Sequence, residues 1–217
     1  MIKLVIFDLD GTLLNSLDDL AASANYVLKK FGYPEHEVEA YRYMVGNGIS
    51  KLLERALPED ARIQSILYSV KKEFMEYYAE HKADLTKPYD GINELLQNLR
   101  HRGVALAIAT NKEHENARNL VNHCFQTGTF KIIRGEQPGF PIKPDPAIVF
   151  AILNETGVEP HEVLYVGDTA VDMQTAVNSG VKAVGVTWGF RPEKELRESG
   201  ADYIVHQPAE ILDLLAD

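Results

Sequence analysis

Near the start of the chain a short apolar run, Leu4-Val5-Ile6-Phe7, stops abruptly at Asp8-Leu9-Asp10-Gly11-Thr12. β-Branched and aromatic residues closed by a glycine predict a buried strand with two acids just past its end. From residue 17 the period changes, and Leu17, Leu20, Ala21, Ala24, Val27 and Leu28 recur at helical spacing, predicting a helix over 17–30. Further helices are expected over about 35–44, 49–56 and 60–80, separated by Gly46-Asn47-Gly48 and Pro58. No strand pattern interrupts this stretch, which is too long for an ordinary βα crossover. It therefore predicts a small helical domain inserted after the first strand.

Beyond residue 90 helix and strand patterns alternate. A helix over 90–102 precedes the run Val104–Thr110, another over 113–123 precedes Phe130–Ile133, and a third over 145–156 precedes Val163–Gly167. Strands near 183–186 and 203–206 follow, and residues 209–215 read as a terminal helix. Such alternation predicts an α/β core around a parallel sheet. The expected division is a core of residues 1–14 and 83–217 and an all-helical cap of residues 15–82. Hinges are expected at 14–17 and 81–88.

Composition narrows the partners. With 217 residues, 45% of them apolar and 25% charged, the chain has enough material for a large soluble core. A formal charge of −10 without a basic stripe gives no electrostatic reason to bind nucleic acid. No apolar stretch reaches membrane-spanning length and no signal-peptide pattern opens the chain, so a cytoplasmic protein is expected. The single Cys124 cannot form an internal disulfide, and neither it nor His114 and His123 has the spacing of a metal cluster. Amphipathic helices leave a monomer and a homodimer both open.

Polar residues recur at equivalent places in this pattern. Thr110-Asn111 ends one strand, Lys143-Pro144 leads into a helix, and Gly167-Asp168 ends another strand with Asp172 four residues on. In an open parallel sheet the carboxyl ends of neighbouring strands share one crevice. Asp8, Asp168 and Asp172 offer oxygen ligands for Mg²⁺, as does the Asp10 main-chain carbonyl. Thr110, nearby backbone N–H groups and Lys143 are expected to hold a phosphoryl group. With Asp8 as nucleophile an aspartyl phosphate would form, Asp10 protonating the departing alkoxide and then activating water. Asp172 either holds the cation directly or orients Lys143 and metal-bound waters.

The four segments Asp8–Thr12, Thr110-Asn111, Lys143-Pro144 and Gly167–Asp172 together resemble the ordered motifs of the haloacid dehalogenase superfamily, phosphatase branch. The resemblance spans residue 1 to about 190. It implies a Rossmann-like core with a helical cap, Asp8 as nucleophile, Asp10 as acid/base, Thr110 and Lys143 as phosphate binders and the late acids as Mg²⁺ holders. Because Asp10 and the late acids are present, it also implies phosphoryl chemistry rather than carbon–halogen cleavage. The cap position resembles the phosphoglycolate phosphatase-like group, with Gly46-Asn47-Gly48 in the place of that group's substrate loop. Arg42, Gly46, Asn47, Gly48 and Asn111 are accordingly expected to bind substrate. The implied partner is a small phosphorylated metabolite, 2-phosphoglycolate first. Sugar-phosphate, nucleotide or pyrophosphate hydrolysis, a phosphosugar mutase and a nonenzymatic phosphate-binding module are the alternatives.

Overall fold

A computed structural model describes residues 1–216, so the last residue of the expected core span, Asp217, lies outside them. The chain divides into two compact units, Met1–Leu14 with Pro88–Asp217, and Asn15–Lys87.

The first unit is built on a six-stranded sheet. In chain order its strands are β1 (Leu4–Phe7), β4 (Ala105–Glu113), β5 (Ile132–Glu136), β6 (Val163–Gly167), β7 (Lys182–Val186) and β8 (Tyr203–Val205). The linkers between the units contain the two-residue strands β2 (Leu14–Asn15) and β3 (Lys87–Pro88). Every pairing in the large sheet is parallel and the order is β5-β4-β1-β6-β7-β8. All residues of β1 and β6 are buried, as befits central strands covered on both faces by helices. The helices of this unit are α4 (Ile92–His101), α5 (His114–Cys124), α6 (Ala147–Thr156), α7 (Ala170–Ser179) and α8 (Glu193–Glu198). On one face Val149 and Ile152 of α6 and Met173 and Ala176 of α7 pack with Leu4, Ile6, Ala107 and Tyr165 of the sheet. After β1 the chain builds β4 and β5 outward on one side and β6 to β8 outward on the other. The strand order thus reverses around the carboxyl end of β1, the place where open α/β sheets bind ligands.

The second unit is helical, with α1 (Leu17–Lys30), α2 (Ile49–Ala56), α3 (Gln64–His81) and 3₁₀ turns at Val38–Tyr43 and Glu59–Ala61. Helix α1 buries Leu20, Ala21, Ala24, Val27 and Leu28, the positions that gave it its period, and α3 buries Val70, Phe74 and Tyr78. Tyr26 stacks on Tyr77 at 3.9 Å, and the Tyr41 hydroxyl donates to Asn25 Oδ1 at 2.7 Å.

Several expected boundaries shift. The 35–44 helix is a short 3₁₀ turn in which only Tyr41 is buried, too little apolar surface to sustain a longer helix. The 60–80 helix splits at Arg62 and Ile63, where Ile63 is extended and starts α3. Strand β4 continues to Glu113 rather than ending at Thr110, and β5 begins at Ile132 and runs to Glu136. Gly135 permits this longer pairing, since a side chain there would strike the Lys112 carbonyl and the His114 backbone. The terminal helix is a 3₁₀ segment, Pro208–Ala216. The return from the helical unit lies after Lys87, not after residue 82. Asp19 of α1, buried, accepts hydrogen bonds from Leu85 N, Thr86 N and Thr86 Oγ1, which ties residues 85 and 86 to the helices.

Candidate active site

Asp8 follows directly from β1, and its N–H donates to Val166 O at 2.9 Å, so the ladder with β6 fixes the backbone that carries it. A tight turn then returns the chain, with Leu13 N and Leu14 N both donating to Leu9 O at 3.0 Å. Gly11 in this turn has φ 86°, and a β-carbon there would collide with the Asp168 carboxylate. Glycine therefore lets the first loop close against the end of β6.

Three carboxylates meet at that point. Asp8, Asp168 and Asp172 are buried and each offers an oxygen within 4.8 Å of the others. Asp168 Oδ1 accepts from Thr12 Oγ1 at 3.0 Å and its Oδ2 from Phe190 N at 2.8 Å, so the loop after β7 clamps it. Asp172 stands in the first turn of α7, where Thr169 and Asp172 form a reciprocal capping box. Its Oδ2 accepts from Thr169 N and Oγ1, and its Oδ1 accepts from Lys143 Nζ at 2.7 Å.

Lys143 brings a single buried ammonium into this cluster, with 1% of its side chain exposed. Its Nζ also donates to Ala109 O and to Tyr165 Oη, both at 3.0 Å, and it precedes a cis peptide to Pro144. The same Nζ lies 3.0 Å from Asp8 Oδ1 without hydrogen-bond alignment, leaving that buried oxygen in an ion-pair contact only. Three acids against one lysine leave negative charge uncompensated in a largely buried site. Burial, with the Asp172 charge next, pushes the Asp8 carboxyl up to about 7 despite Lys143 beside it. Burial, then Asp172 and Asp8, hold Asp168 well above the ordinary carboxylate range. Burial works against the Lys143 ammonium, but Asp172 and Asp8 override it and keep its pKa well above that of a free lysine. Clustered buried carboxylates with one unbonded oxygen are the donor set of a hard divalent cation, which would let all three acids ionise together.

Asp10 lies beside this cluster rather than in it. Both of its carboxylate oxygens accept from Lys112 Nζ, at 3.1 and 2.9 Å. Strand β4 shifts register against β5 between Ala109 and Glu113, an irregularity that leaves Thr110, Asn111 and Lys112 all buried in succession. Thr110 Oγ1 accepts from Lys112 N at 3.2 Å. Asn111, expected at the substrate, turns its amide onto the Lys143 main chain, with Oδ1 accepting from Lys143 N at 2.9 Å and Nδ2 donating to Lys143 O at 3.2 Å. It holds the lysine segment in place.

The cap residues named from the sequence sit in the helical unit. Arg42 Nε pairs with Glu39 at 2.8 Å. Gly46 and Gly48 have φ 108° and 80°, and Asn47 Oδ1 accepts from Arg55 Nη2 at 2.9 Å while Arg55 Nη1 donates to Met44 O. The loop is thus braced by Arg55, which the sequence did not single out. Lys112 and Thr12 are the other residues it missed. No periodic signal marks Lys112, because the strand irregularity buries Thr110, Asn111 and Lys112 in succession and breaks the alternation.

Residues 5–186 match the model of the haloacid dehalogenase-like hydrolases. The chain is 34% identical to a phosphoglycolate phosphatase of Mannheimia succiniciproducens and 33% identical to one of Haemophilus influenzae, covering 98% of both proteins in each comparison. A crystal structure from Lactobacillus delbrueckii subsp. bulgaricus, provisionally named a phosphoglycolate phosphatase, superposes with a TM-score of 0.92 at 32% identity over 98% of each chain. The chain therefore belongs to the haloacid dehalogenase-like hydrolase family. Within that family it is an enzyme of the phosphatase kind. Among the described residues no helix is long and apolar enough to cross a membrane.

Proposed function

We propose that this enzyme hydrolyses small phosphate monoesters with Mg²⁺, and that 2-phosphoglycolate is its substrate. The observation that carries the reading is the buried set of Asp8, Asp168, Asp172 and Lys143 at the carboxyl end of the central strand, with Asp10 two residues from Asp8. The named substrate is supported by the phosphoglycolate phosphatases it resembles along their whole length.

Asp8 is the nucleophile. One carboxylate oxygen forms a bond to phosphorus as the ester P–O bond breaks, and Asp10 gives its proton to the departing oxygen. In the second half Asp10 takes a proton from water as that water attacks phosphorus, and the Asp8–phosphate bond breaks to release phosphate. Thr110 and the Lys143 ammonium hold the phosphoryl oxygens. Asp8, the Asp10 carbonyl and Asp168 would hold the Mg²⁺, which would offset the clustered acids and draw charge from the phosphoryl group. Asp172 orients the lysine, its Oδ1 accepting from Lys143 Nζ at 2.7 Å.

The test is phosphate release from a panel of 2-phosphoglycolate, sugar phosphates, nucleoside monophosphates and pyrophosphate, with Mg²⁺ and with chelator. Release led by 2-phosphoglycolate and abolished by chelator is expected. Preference for a sugar or nucleotide ester would overturn the named substrate, and release indifferent to chelator would overturn the metal.

A further inference from the structure

We infer that Lys112 is the specificity-determining residue that receives the carboxylate of a phosphorylated 2-hydroxy acid. The assignment rests on the phosphatase reading above and names the chemistry that selects the organic half of the substrate.

Among the described residues Lys112 and Lys143 are the buried lysines. Lys143 is engaged with Asp172 and faces Asp8, on the side where phosphorus is attacked. Lys112 pairs instead with Asp10, the acid assigned to the leaving oxygen. Its side chain is 2% exposed and its Nζ bridges both oxygens of Asp10, whose side chain is 19% exposed. A buried ion pair is a poor device for stability, since an apolar pair of the same volume commonly does as well. A buried ammonium kept beside a proton-transfer group points instead to a charge it must meet.

Geometry names that charge. Asp10 has to come within about 2.6–3.2 Å of the leaving oxygen to protonate it. Lys112 Nζ is 2.9 Å from Asp10 Oδ2, so it and a leaving oxygen bonded to the same carboxylate lie within about 6 Å of each other. In a phosphorylated 2-hydroxy acid one carbon separates the ester oxygen from the carboxylate, which puts carboxylate oxygens about 3 Å from the ester oxygen. A leaving oxygen on Asp10 therefore brings its own carboxylate to Lys112. Charge agrees with this placement. Such a substrate carries a phosphate of about −2 and a carboxylate, into a crevice of four aspartates in a chain of net charge −10. The carboxylate needs a local cation other than the lysine at the phosphoryl group. An ester ending in a neutral hydroxyl gains nothing from it.

The experiment compares 2-phosphoglycolate with 2-hydroxyethyl phosphate, which replaces the carboxylate by a hydroxymethyl group, in wild type and K112M. The expected result is a fall of about ten- to a hundredfold in the ratio of their kcat/KM values, over and above any loss the two esters share through Asp10. In parallel, D8N and D8N/K112M, with folding checked by thermal melts, are titrated with both esters. Binding of 2-phosphoglycolate should weaken selectively. Equal losses on both esters, with wild type preferring 2-phosphoglycolate, would overturn the role of Lys112 and leave the proposed function standing. A wild type indifferent to the carboxylate would overturn both. If neither ester is hydrolysed the proposed function fails, and selective binding in the D8N pair still decides for or against Lys112.

Discussion

Asp8 sits where burial disfavours its charge and the proposed chemistry requires it. Its carboxyl is pushed up to about 7 by burial first and Asp172 second, with Oδ1 close to Lys143 but not hydrogen-bonded. Substituting Asn removes the charge while Lys143 keeps Asp172, Tyr165 and the Ala109 carbonyl. D8N should therefore fold, lose phosphate release entirely, and melt higher than wild type in chelator at pH 8. Each kcal/mol relieved is worth about 2–4 °C in a chain of this length. A D8N protein that melts well below wild type would contradict the view that Asp8 is held against its own stability. The neighbouring side chains differ in what the sequence revealed of them. The places of Asp8 and Asp168 after strands, and of Lys143 ahead of a helix, could be read from the sequence pattern. The Asn111 amide could not, because its partner is the backbone of residue 143, 32 positions away.

At the level of elements, strand and helix periods located the sheet and α1 closely, since central strands are buried on both faces and α1 buries one clean stripe. What the period did not carry was the register irregularity in β4, which extends the strand and delivers Lys112 to Asp10. Nor did it show the tie between α1 and the returning chain. Asp19 looks like an ordinary acid in a first helical turn, yet it collects Leu85 N, Thr86 N and Thr86 Oγ1. D19A leaves three donors without that acceptor and should cost about 2–4 kcal/mol. Amide hydrogen exchange at Leu85 and Thr86 is expected to accelerate by about ten- to a hundredfold while the β1 amides remain protected. Unchanged protection at 85 and 86 would show that the tether does not hold that segment.

For the molecule as a whole, the acid cluster couples folding to pH and to cations. The sign follows from Asp8: its folded pKa of about 7 lies above its ordinary value of 3.8, so between those pH values the folded state binds more protons than the unfolded one. Stability of the cation-free protein, taken as the difference between wild type and D8N, should fall as pH rises through that window and level off above about 7. The proposed Mg²⁺ would bind the ionised acids, so its stabilisation should grow across the same window. Thermal melts at pH 5, 6, 7 and 8 in chelator and in Mg²⁺ measure both trends, and a cation effect equal at all four pH values would contradict them. The two-unit organisation was legible because a long helical stretch interrupts an α/β pattern. The exact return point was not, since Leu85 and Thr86 are fixed by side-chain bonds to Asp19 that leave no periodic trace. The central claim is that phosphate passes through Asp8. Its most direct test is rapid acid quenching of the wild-type enzyme within the first turnover after mixing with ³²P-labelled 2-phosphoglycolate and Mg²⁺, followed by peptide mapping. The account predicts hydroxylamine-sensitive label on the peptide that carries Asp8, absent in D8N. Phosphate release by D8N, or label on another residue, would contradict it.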